Sequence, residues 1–208
     1  MLDTVILQGK QVRLEPLSLD HVPGLLYAAT ESRETYSFTD VPADEAAMLR
    51  WVQSALDGCQ ANTMLPFATI DLRTQEVVGS TRFGNIEFWT WAPGSEHQRG
   101  NHLPDVVEIG WTWLAPSAQR TRINVEAKLL MLTHAFETWL VHRVSLRADA
   151  RNARSRAAIT GIGAELDGIK RADKVAYDGS IRDTAMYSII DSEWPRVKRH
   201  LNHRLHDR

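Results

Sequence analysis

The sequence contains a single cysteine, Cys59, among its 208 residues. One cysteine excludes an internal disulfide framework and fits a reducing compartment. The formal net charge is −2, so no basic field covers the chain, which argues against a general nucleic-acid binder. The first residues, Met1–Thr4, lack the basic-then-apolar order of a signal peptide, and no apolar run approaches the roughly 18 residues that span a membrane. These absences predict a cytoplasmic protein with no DNA or membrane partner.

Two nucleotide-binding motifs are missing as well. No Gly-x-x-x-x-Gly-Lys-Ser/Thr sequence occurs, which argues against a P-loop hydrolase, and the Gly-x-Gly-x-x-Gly turn of a Rossmann dehydrogenase is absent. Glu96, His97 and His102 share one long loop, but a third close ligand with suitable spacing is absent. No metal site is therefore predicted.

What the sequence does contain is typical of one globular domain, predicted here to cover residues 1–208. Hydrophobic residues make up 43% and charged residues 24% of the chain, which is ordinary for a soluble domain with a substantial core. The alternating patterns predict strands at Lys10–Leu17, Pro66–Leu72, Glu76–Trp89, Val106–Leu114, Arg143–Asp149, Glu165–Ala176 and Thr184–Ile190. The predicted helices are Ser18–Glu31, Asp44–Leu56 ending at Gly58, a long helix ending near Leu140, Asn152–Ile162, and a last helix capped by Asp191 or Ser192. This order favours a sheet layered with helices.

The stretch Gln119–Leu130 joins the predicted strand Val106–Leu114 to the long helix. The first turn of a helix has backbone N–H groups without partners and a partial positive charge, so a short loop opening such a helix suits a phosphate or pyrophosphate. Arg120 and Arg122 add two formal positive charges at that point. The alternative interpretation of both arginines is a solvated loop.

Short pieces of sequence carry a family resemblance. They are Val12–Leu17, Val107–Trp111, Asn124–Leu130, Asn152–Ser155, Gly179–Asp183, Tyr187–Ile189 and Glu193–Pro195. Their joint order resembles the GNAT acetyltransferase superfamily over nearly the whole chain. The resemblance is closest to the branch that acetylates ribosomal-protein amino termini (RimJ/RimL-like).

The resemblance implies an α/β (α+β) fold, a single GNAT-like domain whose mixed, mostly antiparallel sheet of about seven strands is flanked by helices. It implies an N-acetyltransferase that moves an acetyl group directly from acetyl-CoA, its co-substrate, to a primary amine on a protein amino terminus or a small molecule. A non-catalytic CoA-binding or regulatory protein of the same fold is the alternative. The acceptor amine and the oligomeric state stay open, and a homodimer would fit.

The family holds the pyrophosphate in a Gln/Arg-x-x-Gly-x-Gly/Ala loop. Gln119 matches its first position, whereas Arg122 and Asn124 stand where small residues are usual. Because glycine lets backbone approach a ligand closely, Arg122 could either crowd the phosphates or pair with them bidentately. The residues that the resemblance assigns to the cofactor are Trp113 and Leu114 through backbone amides near the thioester oxygen, Gln119, Arg120, Thr121, Arg122, Ile123, Asn124, Val125, Asn152 and Ser155. Simple helix capping is the alternative for the last two.

Glu108 is the candidate catalytic base. It occupies the family's strand position for a base that acts directly or through water, and a carboxylate on a central strand is costly unless paired or lining a cleft. Strict alternation places it on the face of Val106 and Gly110, opposite Val107, Ile109 and Trp111. The alternative is an ion pair with a neighbouring strand, such as one with Arg82.

The family's usual acid, a tyrosine that protonates the leaving thiolate, is missing because the corresponding position is Ile159. A free thiol has a pKa near 8.5, so the thiolate can leave and take its proton from water. Candidates for the wall around the acceptor are Tyr36, Trp89, Trp91 and Trp111. Core packing or surface exposure is the default alternative for each aromatic residue.

Overall fold

The computed structural model describes residues 3–100 and 102–206. Five residues of the predicted 1–208 domain lie outside the described residues: Met1, Leu2, Asn101, Asp207 and Arg208. Within the described part, no helix is both long and apolar enough to cross a bilayer.

The strands of the described residues form one sheet of eight, in the order β1-β2-β3-β4-β5-β6-β8-β7. The strands are β1 (Leu7–Gln8), β2 (Val12–Pro16), β3 (Leu65–Asp71), β4 (Glu76–Glu87), β5 (Val106–Leu114), β6 (Arg143–Asp149), β7 (Glu165–Val175) and β8 (Ile181–Ile190). Every neighbouring pair is antiparallel except β5 and β6, which run parallel. The mixed, mostly antiparallel sheet is confirmed. The extra strand is β1, whose two residues are too few for an alternating pattern.

The helices agree with the predicted order, with differences at their ends. They are α1 (Val22–Thr30), α2 (Glu45–Gln60), α3 (Ile123–Thr133), α4 (Ala153–Gly161) and α5 (Trp194–His206). A π-helical turn, His134–Thr138, extends α3 almost to the predicted end. The predicted end of α2 at Gly58 is wrong, because the left-handed residue that follows the helix is Asn62, with φ +55°. Asp191 and Ser192 lie in a 3₁₀ turn before α5 and do not cap it.

Two apolar cores cover the two faces of the sheet. On one face α1 and α2 enclose side chains that include Leu25, Met48 and Trp113. On the other, α3 and α5 pack over a larger cluster that includes Val107 and Ile109 of β5. Fully burying an aliphatic side chain of this kind favours folding by roughly 1.5–3 kcal/mol. The central strand β5 is therefore held firmly between two cores.

Two irregularities make β5 unlike the other strands. It pairs with β6 only through its first residues, and the last matched pair is Glu108 with Ser145, so the strands are unpaired beyond that point. Its pairing with β4 passes from Arg82–Gly110 to Ser80–Trp113, leaving Thr81 opposite two residues. The extra residue is a β-bulge, and Trp111 within it has a φ of +49°. A gap beside β6 and a bulge beside β4 thus meet at the middle of the sheet.

Candidate active site

Glu108 lies at the point where β5 and β6 separate, and only 6% of its surface is exposed. Its Oε2 accepts a hydrogen bond from Asn85 Nδ2 at 2.7 Å. Arg147 Nε is 2.8 Å from the same oxygen, but this nitrogen makes no aligned hydrogen bond within the described chain, so the contact is an ion pair. The ion pair that sequence analysis offered as the alternative thus exists, with Arg147 rather than Arg82 as its cation.

The other carboxylate oxygen of Glu108, Oε1, has no hydrogen-bond partner among the described residues. It lies above Gly110, where an added Cβ would be only 3.0 Å away. Asn85 reaches Oε2 because β4 carries an irregularity there, with Asn85 at a φ of +44°. The local chain therefore fixes one oxygen and leaves the other open.

Trp111 lies on the same face as Glu108, so its predicted position on the opposite face is wrong. A Cβ added to Gly84 would lie only 2.5 Å from the Trp111 ring. Gly84 is the cross-strand partner of Glu108, so the ring and the carboxylate share one face. Strict alternation fails because the bulge inserts one residue and turns Trp111 over. The indole is 40% exposed and forms part of the site's surface.

Arg82 fills the space between Trp51 and Trp111. Its guanidinium carbon is 4.5 Å from the first ring centroid and 5.2 Å from the second. Desolvation by burial lowers the pKa of Arg82 to about 10. Its Nε and Nη2 have no partner among the described residues, so stacking on two indoles is its main stabilising contact.

The loop before α3 contains a left-handed residue at Arg120, whereas Arg122, where the resemblance expects a small residue, is right-handed with a φ of −77°. Arg120 is exposed with a φ of +60°. The Thr121 hydroxyl donates to Ala118 O at 2.6 Å and accepts from the Ile123 amide at 3.3 Å. Arg122, at the N-cap position of α3, makes no side-chain cap. Ile123 and Val125 bury their side chains in the core, which leaves their backbone as the part that a ligand could contact.

Glu126, in the first turn of α3, connects this helix to the first two strands. Its carboxylate accepts hydrogen bonds from the amides of Lys10, Gln11 and Val12, at 2.7 to 2.9 Å. A Cβ on Gly9 would lie 2.4 Å from this carboxyl group. The carboxylate therefore fastens the first turn of α3 to the β1–β2 turn.

The end of β5 is fixed by side chains from two elements. Leu114 O accepts from the Tyr36 hydroxyl at 3.0 Å and from Gln119 Nε2 at 2.8 Å. The Ala115 amide donates to Val78 O, and since successive amides of an extended strand point to opposite sides, the Leu114 amide points away from β4. Trp113 is buried edge-on against Tyr36, so its indole is core.

Tyr36 is itself buried, with 4% exposure, and desolvation raises its pKa to about 12. Its hydroxyl supports the end of β5 by donating to Leu114 O. Asn152 caps α4, its Oδ1 accepting from the Ser155 amide at 3.0 Å, as the capping interpretation expected. Ile159 is core.

Arg154, which the sequence did not single out, connects the two helix entries. Its Nη1 donates to Gln119 Oε1 at 3.2 Å, and its Nη2 donates to Thr35 O. Asn85 and Arg147 were missed too. Arg154 could have been found from the sequence, because it follows the capping Asn152 by two residues in the first turn of α4. Asn85 and Arg147 could not, because their contact with Glu108 depends on which strands are neighbours in the sheet.

Trp89 and Trp91 form a separate cluster. Trp89 stacks on His142 with centroids 5.5 Å apart, and both tryptophans donate to Asp105, from the Trp89 amide and the Trp91 indole. Asp105 precedes β5 and His142 precedes β6, so this cluster is at the amino ends of the parallel pair. The loop before α3 follows the carboxyl end of β5. The structure thus brings Glu108 and Trp111 together and places Trp89 elsewhere.

Comparison with known proteins gives concordant matches to one family. Residues 11–165 match the family model described as Acetyltransferase (GNAT) domain. A crystal structure of a GCN5-related N-acetyltransferase from Brucella melitensis superposes with a TM-score of 0.82, at 28% identity, covering 97% of this chain and 86% of that one. A structure from T. thermophilus, provisionally described as an acetyltransferase, has a TM-score of 0.79 and 31% identity, covering 99% of this chain and 100% of that one.

A curated relative matches over a shorter stretch. YdaF of Bacillus subtilis (strain 168), provisionally named a ribosomal N-acetyltransferase, is 33% identical over 92 residues, which are 44% of this chain and 49% of the relative. This match spans only about half the length of the relative. The longer family match extends from just before β2 to the first residue of β7 and includes Glu108, Trp111 and the loop before α3.

Proposed function

Because this chain belongs to the Acetyltransferase (GNAT) family, we propose that it transfers an acetyl group from acetyl-CoA directly to a primary amine. The observation that carries the proposal is the state of Glu108. Its carboxylate is buried on the central strand, held through Oε2, and open at Oε1. A carboxylate in this arrangement suits a general base.

An amine attacks only in its neutral form, so the site must take a proton from the incoming ammonium group or during attack. Oε1 of Glu108 has lone pairs free for that proton, received directly or through one water. Asn85 holds the orientation of the carboxylate, and the charge of Arg147 offsets part of the cost of burying it. Trp111 lines the same face and would enclose the acceptor's reactive end.

The residues around the gap fit acetyl-CoA, which when bound supplies the activated acetyl thioester. The first-turn amides of α3, with Arg120 and Arg122 beside them, suit the diphosphate. The Leu114 amide points into the space between β5 and β6 and is placed to donate to charge developing on the thioester oxygen. Tyr36 and Gln119 hold that residue through its carbonyl.

No tyrosine acid is needed for the leaving group in this proposal. Ile159 is buried in the core and offers no proton. The thiolate of CoA would leave as such and be protonated by water, consistent with an ordinary thiol pKa near 8.5. We therefore expect turnover to depend on the base more than on an acid.

For the acceptor we propose a protein amino terminus first, guided by the ribosomal N-acetyltransferase name of the curated relative. A cytoplasmic location would fit that acceptor and the single cysteine. Small amines are the second acceptor class to test.

The test combines calorimetry with acetyl-CoA and release of the CoA thiol in the presence of defined amines. The amines are tetrapeptide amides that differ only in their first residue, together with spermidine and glycinamide. Binding with acetylation of any of these amines supports the transferase. Binding without acetylation favours the non-catalytic CoA-binding alternative, and no binding at millimolar acetyl-CoA overturns both.

A further inference from the structure

Lys128 is buried on the α3 face of the sheet, directly beneath the bulge of β5. Its side chain ends between two hydroxyl groups, with Nζ 2.8 Å from Thr112 Oγ1 and 3.2 Å from Thr81 Oγ1. Those two hydroxyl oxygens are 2.8 Å from each other. Within the described chain no carboxylate pairs with Lys128, which is 5% exposed. A lysine is almost never buried this deeply without a partner of opposite charge.

The hydrogen-bond inventory fits an uncharged amine. A neutral amine has two N–H groups, matching the two threonine oxygens, whereas an ammonium group would leave a third N–H without a partner. Burial lowers the pKa of Lys128 to about 7, in agreement with that count. The carboxylate of Glu126, two residues earlier, is occupied by backbone amides of the β1–β2 turn. The amine therefore acts as a double donor to the two strands.

Both acceptors of Lys128 belong to the bulge. Thr81 is the residue of β4 that faces two residues of β5, and Thr112 is the second of those two. The Thr112 hydroxyl also donates to Gly110 O at 3.4 Å. This bond joins the two residues that flank Trp111 in the sequence. A bulky residue at positive φ persists only where its surroundings hold it. Arg82 and Gly84 hold the Trp111 ring on one face, and Lys128 holds the backbone from the other.

We propose that Lys128 is a positioning residue of the transferase: by donating to Thr112 and Thr81, it fixes the bulge that places Trp111 beside Glu108 and directs the Leu114 amide into the gap. This inference rests on the proposed function for its kinetic consequence only. A methionine of similar length would fill the same space without burying an amine, so packing alone gives no reason for a lysine.

The experiment compares Lys128→Met with Thr112→Val, Thr112→Ser and the surface control Lys170→Met. Lys170 is exposed and paired with Asp173, far from the bulge. Each variant is measured for kcat, for KM of acetyl-CoA, for Tm, and for the indole N–H resonance of Trp111 in ¹⁵N-labelled protein. Trp111→Phe assigns that resonance.

We expect Lys128→Met and Thr112→Val each to move the Trp111 resonance and to lower kcat about tenfold to a hundredfold. KM for acetyl-CoA should stay within about twofold, and Tm of Lys128→Met should equal or exceed that of the wild type because a buried amine is removed. Thr112→Ser should recover most of the kcat lost in Thr112→Val. The double variant Lys128→Met/Thr112→Val should lose little more than either single variant, since both act through one contact. Lys170→Met should match the wild type in every measurement.

An unmoved Trp111 resonance in Lys128→Met overturns the proposal, as does a kcat within about twofold of the wild type. A loss of kcat that parallels a fall in Tm would also overturn it, because the lysine would then be structural. If the wild type acetylates no amine, the proposed function fails, and the Trp111 resonance and Tm still decide whether Lys128 holds the bulge.

Discussion

Arg147 Nε lies 2.8 Å from Oε2 of Glu108, across the place where the parallel strands β5 and β6 stop pairing. The nitrogen is close but not aligned for a hydrogen bond. Arg147 therefore contributes charge, while Asn85 contributes orientation through its 2.7 Å bond to the same oxygen. The two partners together occupy one oxygen of the carboxylate and leave the other available for chemistry.

Glu108→Gln should lower kcat by about a hundredfold, since an amide cannot accept the proton of the amine. Acetyl-CoA affinity, measured by calorimetry, should change less than about threefold, because Glu108 is not among the residues proposed to bind the diphosphate. Glu87→Gln is the matched control, an exposed acid of the adjacent strand that lies 4.0 Å from Arg143. Unaltered turnover in Glu108→Gln would remove Glu108 from the mechanism.

Much of the fold follows from local sequence patterns. The bounds of β5 and β6 were predicted to the residue, because β5 is rich in β-branched and aromatic residues and β6 alternates Val144, Leu146 and Ala148 with polar residues. The Asn152 cap of α4 was predicted for the same local reason.

The site was less predictable, because its contacts depend on neighbouring strands. Nothing local reveals that β6 would bring Arg147 to Glu108, since parallel neighbours are distant in sequence. Trp111 was assigned to the wrong face because one inserted residue reverses the alternation. Its positive φ could not be predicted either, because tryptophan, unlike glycine or asparagine, does not indicate a left-handed residue. From the sequence alone Lys128 is an ordinary helix residue, because the burial of its amine depends on the strands against which α3 packs.

Gly110→Ala should impair catalysis without unfolding the protein. The new Cβ would lie 3.0 Å from Glu108 Oε1, in the space where a proton donor must approach. We expect kcat to fall about tenfold or more, while the free energy of unfolding changes by about 1 kcal/mol. Gly161→Ala, whose Cβ meets only the flexible end of Arg204, is the control. Normal kcat in Gly110→Ala would mean that this space is not the path to the base.

Arg120→Gly should change stability and cofactor affinity in opposite directions. Glycine suits the φ of +60° at this position, so the free energy of unfolding should rise by up to about 1 kcal/mol. If the guanidinium pairs with the diphosphate, losing it should weaken acetyl-CoA binding about tenfold to a hundredfold, as for a charge-assisted hydrogen bond. Arg50→Ala, an exposed arginine of α2, is the calorimetric control. An unchanged Kd in Arg120→Gly would leave the backbone amides and Arg122 as the phosphate contacts proposed there.

Glu126→Gln should destabilise the fold. A carboxamide has one accepting oxygen, whereas the carboxylate accepts from three backbone amides on two oxygens. Leaving buried donors unpaired costs roughly 1–3 kcal/mol each, so the midpoint of urea unfolding should fall by an amount equivalent to about 2–4 kcal/mol. Glu45→Gln, an exposed acid in the first turn of α2, should change it little. Equal loss in both variants would contradict the bridging role of Glu126.

Lys128 also makes stability depend on pH in an identifiable window. Its pKa is about 7 in the folded protein against an ordinary value of 10.5, so between these values the unfolded chain binds one more proton than the folded protein. Below the folded pKa the cost of burying the amine is present in full. As pH rises toward the unfolded pKa that cost is relieved, and this group adds about 1.4 kcal/mol of stability per pH unit.

Lys128→Met removes this contribution, so the variant's stability advantage over the wild type should be largest near pH 7 and shrink by about 1.4 kcal/mol for each unit of pH above it. Urea unfolding of both proteins at about pH 7.5, 8.5 and 9.5, which lie within that window, measures the difference directly, and all other titrating groups cancel because they are common to both. A difference that stays constant over this range would show that Lys128 keeps its charge in the folded protein. The two-donor contact with Thr81 and Thr112 would then have to be made by an ammonium group with one N–H unpaired.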